Sequence, residues 1–114
     1  MLVSLKGFDE KIITLQASDS VTAGVAVSIS GNNEVTAASE GTDVFGLALS
    51  VREGYAAVQV GGFATLPCAN IEDASVGYQG ITGADDGAVS IDDSGRKVFI
   101  LSVNETDGTI GIIL

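Results

Sequence analysis

Side chains able to do chemistry are few in this sequence, and their spacing narrows them further. Two adjacent carboxylate pairs, Asp85-Asp86 and Asp92-Asp93, lie close together in the second half. Paired acidic oxygens can flank a sugar bond or hold Ca²⁺. Each pair, however, runs into a glycine, as Asp85-Asp86-Gly87 and Asp92-Asp93-Ser94-Gly95, and the spaced acids and closing Glu of a calcium loop are missing. Aspartate next to glycine is turn chemistry, because the carboxylate caps its own backbone. That is the role expected of both pairs, and no metal site is expected.

Nucleophilic chemistry meets the same scarcity. There is no histidine, so an imidazole base and the common histidine-containing zinc sites are absent. Cys68, the single cysteine, lacks the usual base and is expected to be a small buried apolar residue. Gly77, Gly80 and Gly83 recur at every third position, but no basic residue follows and no helix is signalled to receive a phosphate. Gly95-Arg96-Lys97 only superficially echoes a phosphate loop. The sequence therefore reads as a non-enzyme without catalytic residues or cofactor.

Composition limits the partners. Fifteen acids against five bases leave a net charge of −10 on 114 residues. That field repels phosphate, so neither nucleic acid nor an anionic membrane surface is an expected partner. Hydrophobic residues make up 46% of the chain, which excludes disorder, and the length fits one domain with one core. No basic start followed by an apolar run and a small-residue cleavage site is visible, and a lone cysteine suits a reducing compartment.

The elements that must position these residues are strands. Val25, Val27 and Ile29 alternate with small residues, as do Phe45, Leu47, Leu49 and Val51, then Ala56, Val58 and Val60. Phe99, Leu101 and Val103 are expected to face the core in the same way, followed by Ile110, Ile112 and Leu114. Turns are marked by Ser30-Gly31-Asn32-Asn33, Glu53-Gly54, Asp85-Asp86-Gly87, Asp92-Asp93-Ser94-Gly95 and Asp107-Gly108. Short helical turns fit only Ala37 to Glu40 and Ile71 to Ala74.

The second half repeats the first at a spacing of 54 residues. Val44-Phe45-Gly46-Leu47-Ala48-Leu49 aligns with Val98-Phe99-Ile100-Leu101-Ser102-Val103, and Val35, Gly41 and Gly54 align with Val89, Gly95 and Gly108. The expected fold is all-β: one compact antiparallel β-barrel or two-sheet sandwich built from two similar β-units. Residues 1–20 would form an N-terminal strand region or short arm, 21–67 the first unit, 68–75 a crossover and 76–114 the second unit. Pro67 should end the strand before the crossover. The apolar run Ile110 to Leu114 is expected to form a strand inside the sheet or at a subunit contact.

Three stretches carry a family resemblance. Val21-Thr22-Ala23-Gly24-Val25-Ala26-Val27-Ser28-Ile29-Ser30-Gly31, then Val44 to Val51, then Val60-Gly61-Gly62-Phe63-Ala64-Thr65-Leu66-Pro67 resemble small head-decoration proteins of tailed bacteriophages. Val76-Gly77-Tyr78-Gln79 is similar to the start of their second half. The resemblance implies a structural protein made in the bacterial host cytoplasm. It would sit on the outer capsid surface of the virion, commonly as a homotrimer, bind the phage major capsid protein and cement the shell. A long Pro- or Ser-rich N-terminal arm is missing, so any arm must be Met1 to Phe8. Candidate capsid or subunit contacts are Leu2, Val3, Leu5, Phe8, Arg52 and Tyr55. Tyr78 and Phe63 join them as aromatics of the kind that anchor interfaces. Two other readings compete. One is a carbohydrate- or receptor-binding module such as a head-fibre base, which needs an exposed aromatic platform. The other is an accessory subunit of a host enzyme, or an enzyme using its acidic pairs.

Overall fold

The computed structural model of the chain describes residues 10–114, and these are almost entirely strand. In chain order they are β1 (Lys11–Ala17), β2 (Ala26–Gly31), β3 (Glu34–Ala37), β4 (Gly46–Arg52) and β5 (Tyr55–Gly61). There follow β6 (Phe63–Pro67), β7 (Gly77–Ala84), β8 (Ala88–Ile91), β9 (Arg96–Asn104) and β10 (Thr109–Ile113). The first five close into a barrel in the order β1-β3-β2-β4-β5, and the rest form a second sheet ordered β6-β10-β9-β7-β8. All pairs are antiparallel except β1–β3, the parallel seam that closes the barrel. Glycine-rich turns and alternating apolar residues thus give an all-β fold of two similar units, as expected.

The internal repeat is visible in the strand registers. Val27, Ser28 and Ile29 pair with Ala37, Thr36 and Val35, and 54 residues later Ile81, Thr82 and Gly83 pair with Ile91, Ser90 and Val89. Even the parallel seam recurs. Ala17 N donates to Gly54 O at 2.8 Å and Ser18 N to Val35 O at 3.0 Å. In the second half Cys68 N donates to Gly108 O at 2.8 Å and Ala69 N to Val89 O at 2.8 Å. There the seam shrinks to one parallel bridge, Cys68 to Val89. The second unit therefore repeats the strand order of the barrel but remains a five-stranded sheet, its two edges touching at that one bridge.

Two sequence expectations need correction. The fourth strands correspond at a spacing of 52, not 54, so the alignment of Val44-Phe45 with Val98-Phe99 is two residues out. The marker is a bulge that both units share: Ala48 and Ser50 oppose Val58 and Ala57 across Leu49, while Ile100 and Ser102 oppose Ile112 and Gly111 across Leu101. The cause is the turn, which is Glu53-Gly54 in the first unit and the longer Glu105-Thr106-Asp107-Gly108 in the second. Secondly, β6 belongs to the second sheet, so the chain changes sheets at Gly62 (φ +84°), ahead of the crossover expected at 68–75. Gln59 fixes that corner, its amide donating to Gly61 O at 3.0 Å and Phe63 O at 2.7 Å.

Leu15, Val21, Val27, Val35, Ala48, Ala56 and Val58 fill the barrel. Their small size suits five short strands closing tightly. The larger core lies within the second sheet, where Leu66, Ile81, Ile100, Ile110 and Ile112 are all buried. Ala26, Ala38, Val44 and Leu47 from the barrel's outer side plug into it, so the two units share one core. The β3–β4 connection seals the joint: Gly83 N donates to Thr42 O at 2.7 Å and Gly41 N to Gly83 O at 3.1 Å. Arg96 completes it, Nη1 donating to Val44 O and Phe45 O, each at 3.3 Å. The C-terminal strand β10 lies between β6 and β9, inside the sheet, as its apolar sequence implies. Of the two short helical turns expected, the one at Ile71–Asp73 is present, whereas Ala37 is the last residue of β3.

Candidate interaction surface

The acidic pairs occupy turns. Asp85 and Asp86 form a 3₁₀ turn with Gly87 between β7 and β8, Asp86 at φ +63°. Asp85 Oδ1 accepts from Glu40 N at 3.2 Å, tying this turn to the barrel. Asp92 Oδ1 accepts from Ser94 N at 2.9 Å and Ser94 Oγ at 2.7 Å, and these bonds hold its carboxyl below the usual range. Asp93 contributes its backbone carbonyl, which accepts from Lys97 Nζ at 2.7 Å. Among the described residues, no group of three or more acids and thiols comes together that could hold a metal ion.

Cys68 lies at the bridge between β6 and β8, buried as expected. Burial pushes its thiol up, and the neighbouring carboxylates Glu72 and Asp73 add to the shift, partly offset by a hydrogen bond with Asn70. A thiol so placed stays protonated and unreactive at neutral pH. Asn70 pins the connection to β8, accepting from Ile91 N at 2.9 Å and donating to Ile91 O at 3.3 Å.

With the polar groups absorbed by turns and joints, apolar surface remains. Phe99 and Leu101, expected in the core, point outward, and Val98 and Ile100 take the core positions. Both faces of β9 are apolar, so alternation alone cannot choose between them; the register with β7 decides. The bulge at Leu101 then reverses the alternation, and Val103 packs inward as expected. The pairing Phe63–Ile113–Phe99–Tyr78 runs across β6, β10, β9 and β7, setting four large apolar side chains in one row on the outer face. Its β9–β7 end is the most open: Val76 is 65% exposed, Tyr78 62%, Phe99 56% and Leu101 45%. The Tyr78 and Phe99 rings stand 4.8 Å apart at 45°.

Charge is laid out to match. Apart from Glu34 at the start of β3, every described acid lies outside the strands. The outward face of the second sheet is lined by Thr, Ser and Gly around the apolar row. It carries no strand carboxylate, and its single strand charge is Lys97. In a chain of net charge −10, the strands of that face contribute this one formal charge, which lies beside the Asp92-Asp93 turn. Depletion of charge with enrichment of aromatics is the composition of an interface centre.

Of the contacts expected from sequence, Leu2, Val3, Leu5 and Phe8 fall outside the described residues. Arg52 and Tyr55 are brought together: they pair across the β4–β5 hairpin, Tyr55 pairs with Gln16, and Gln16 with Glu34. This row wraps the outside of the barrel, with Tyr55 and Arg52 exposed. Tyr78 and Phe63, singled out as aromatics, both belong to the apolar row. Sequence reasoning missed Phe99, Leu101 and Val76, and the available signal was a strand whose two faces are equally apolar. The chain matches no known family model and no curated protein sequence.

Proposed function

We propose that this chain is a non-catalytic decoration protein, which binds the major capsid protein on the outer surface of a tailed-phage head and stabilises the shell, acting as a homotrimer. The observation that carries the reading is the carboxylate-free aromatic face of the second sheet on a double β framework. A module of this kind works by covering surface, with turns supplying solubility and sheets supplying contact. The phage assignment rests on the resemblance in Val21–Gly31, Val44–Val51 and Val60–Pro67. Many weak contacts on a symmetric lattice reinforce one another, so modest affinity per copy suffices for cementing. The row of Arg52, Tyr55, Gln16 and Glu34 on the barrel is the candidate shell contact.

The test is capture on tagged, purified chain from phage-infected lysate, read by mass spectrometry against a tag-only control. Recovery of one major shell protein supports the proposal. Its absence, with other proteins or glycans recovered instead, overturns it.

The exposed Tyr78–Phe99 pair favours a second reading, a carbohydrate- or receptor-binding module, since aromatic faces on a sheet can stack on sugar rings. The 45° tilt lets a flat ring stack on one of the two but not both. Glycan-array binding lost on Tyr78→Ala would support this reading, and no binding across the array would remove it.

A further inference from the structure

The two units close their seams differently, and the cause is a proline. In the barrel, Gln16 and Ala17 face Glu34 and Val35 across the parallel ladder, with Gln16 N donating to Asn33 O at 2.9 Å. In the second unit Cys68 and Val89 stand where Ala17 and Val35 stand. Pro67 therefore takes the place of Gln16, and its pairing with Thr109 matches that of Gln16 with Tyr55, 54 residues earlier. Proline carries no N–H, so the bond that Gln16 donates has no counterpart. The second seam is left with the bridge at Cys68 and the bond from Ala69 N to Val89 O at 2.8 Å.

Beyond that bridge a side chain continues the ladder. Asn70 Oδ1 accepts from Ile91 N at 2.9 Å and Nδ2 donates to Ile91 O at 3.3 Å, so the amide plays the part of a peptide group on the open side of β8. Its other positions are used as well. Oδ1 accepts from Cys68 Sγ at 3.5 Å, and Nδ2 donates to Asp73 Oδ2 at 3.2 Å in the 3₁₀ turn that follows. Both donors and both acceptor sites of the amide are thus engaged, which fixes its plane against β8. The barrel does the same with one bond instead of two: Ala37, the counterpart of Ile91, donates its N–H to Ser20 Oγ at 3.2 Å. We infer that Asn70 is a latch that holds the second seam shut and keeps the β8 edge from accepting an extended strand of another chain. An edge with unpaired N–H and C=O groups is a template for strand addition. β8 ends the strand order of its sheet, and Ala88-Val89-Ser90-Ile91 carries no charge or proline to guard it otherwise.

Amide hydrogen exchange of the full chain, followed by NMR, tests the latch. In Asn70→Ala, Ile91 loses its acceptor outright, so the informative amide is that of Ala69, whose partner Val89 O is untouched. Loss of the two bonds to Ile91 should speed Ala69 exchange by about tenfold or more, with little dependence on low urea, the mark of a local opening. Asn70→Asp keeps the acceptor for Ile91 N and loses both donors, and it should open the seam in the same way because a carboxylate there faces Ile91 O and Asp73. An Ala69 amide that keeps its native rate overturns the inference. So does one that exchanges only with the urea dependence of the buried Ile112 amide, since the seam would then have no opening of its own. At high concentration the opened variants should gain strand-paired aggregate, read by thioflavin T fluorescence, that the native chain and the barrel control Ser20→Ala do not form. A variant that opens at Ala69 and stays free of such aggregate overturns the guarding of the edge. None of these outcomes depends on binding to a shell, so the latch and the decoration reading fail separately.

Discussion

At the residue scale, the joint between the units turns on Gly83. Its φ is not in the left-handed region, so its role is spatial: a Cβ there would strike Thr42 Oγ1 and the Ser39 carbonyl. Gly83→Ala is expected to lower stability by about 1–3 kcal/mol, the usual range for overpacking, measured by urea denaturation. Gly41 lies opposite with φ +79° and open space around it, so Gly41→Ala should cost only the strain of a left-handed alanine, about 1–2 kcal/mol. Asp92 offers a second residue-level test. Its carboxyl is held low by the two bonds from Ser94. A depressed folded value means that the bonds favour the fold above the ordinary aspartate pKa, and that this contribution is lost as pH falls through the folded value. Ser94→Ala removes the hydroxyl donor and keeps the amide donor, so the Asp92 titration should move upward part of the way to the ordinary aspartate value, as followed by carboxyl NMR. No shift would show that the Ser94 hydroxyl is not a cause.

At the element scale, β9 separates what the sequence reveals from what it hides. Ile100→Ala is expected to cost about 2–5 kcal/mol, the range for a buried large-to-small change, whereas Phe99→Ala should fall within about 0.5 kcal/mol for the monomer. The reverse order would mean that the strand is turned over. Turns were legible because Asp107-Gly108, Glu53-Gly54 and Asp85-Asp86-Gly87 carry the chemistry of positive φ, and each lies where expected. Strand positions were legible wherever one face was clearly more apolar, as with Ala56 and Val58 or Ile110 and Ile112. The facing of β9 was hidden because Val98-Phe99-Ile100-Leu101 is apolar on both sides, and a bulge then inverts the pattern. Bulges leave little trace in a sequence of common β residues, and the longer Glu105–Gly108 turn moved the repeat by two residues without erasing it. The aromatic row was illegible for the same reason: Phe63, Ile113, Phe99 and Tyr78 are far apart in sequence and meet only through three separate registers.

At the scale of the whole molecule, two copies of one topology are joined unequally. The first closes over Ala and Val, while the second opens enough to admit the barrel's outer side and in return holds the larger aliphatic side chains. Because that core is shared, neither unit can lose its structure while leaving the other's buried surface intact. Calorimetry should accordingly give one cooperative transition with equal calorimetric and van't Hoff enthalpies, and two resolved transitions would contradict the shared core. A cooperative body with acids confined to its turns and an apolar face on one sheet is suited to repeated contact with other protein surfaces. The most direct test of that account is to purify virions produced by the strain encoding this chain and quantify the chain on intact heads by mass spectrometry. The account predicts a fixed ratio to the major shell protein that survives gradient purification, with heads lacking the chain breaking at lower temperature. Heads free of the chain, or heads equally stable without it, would contradict it.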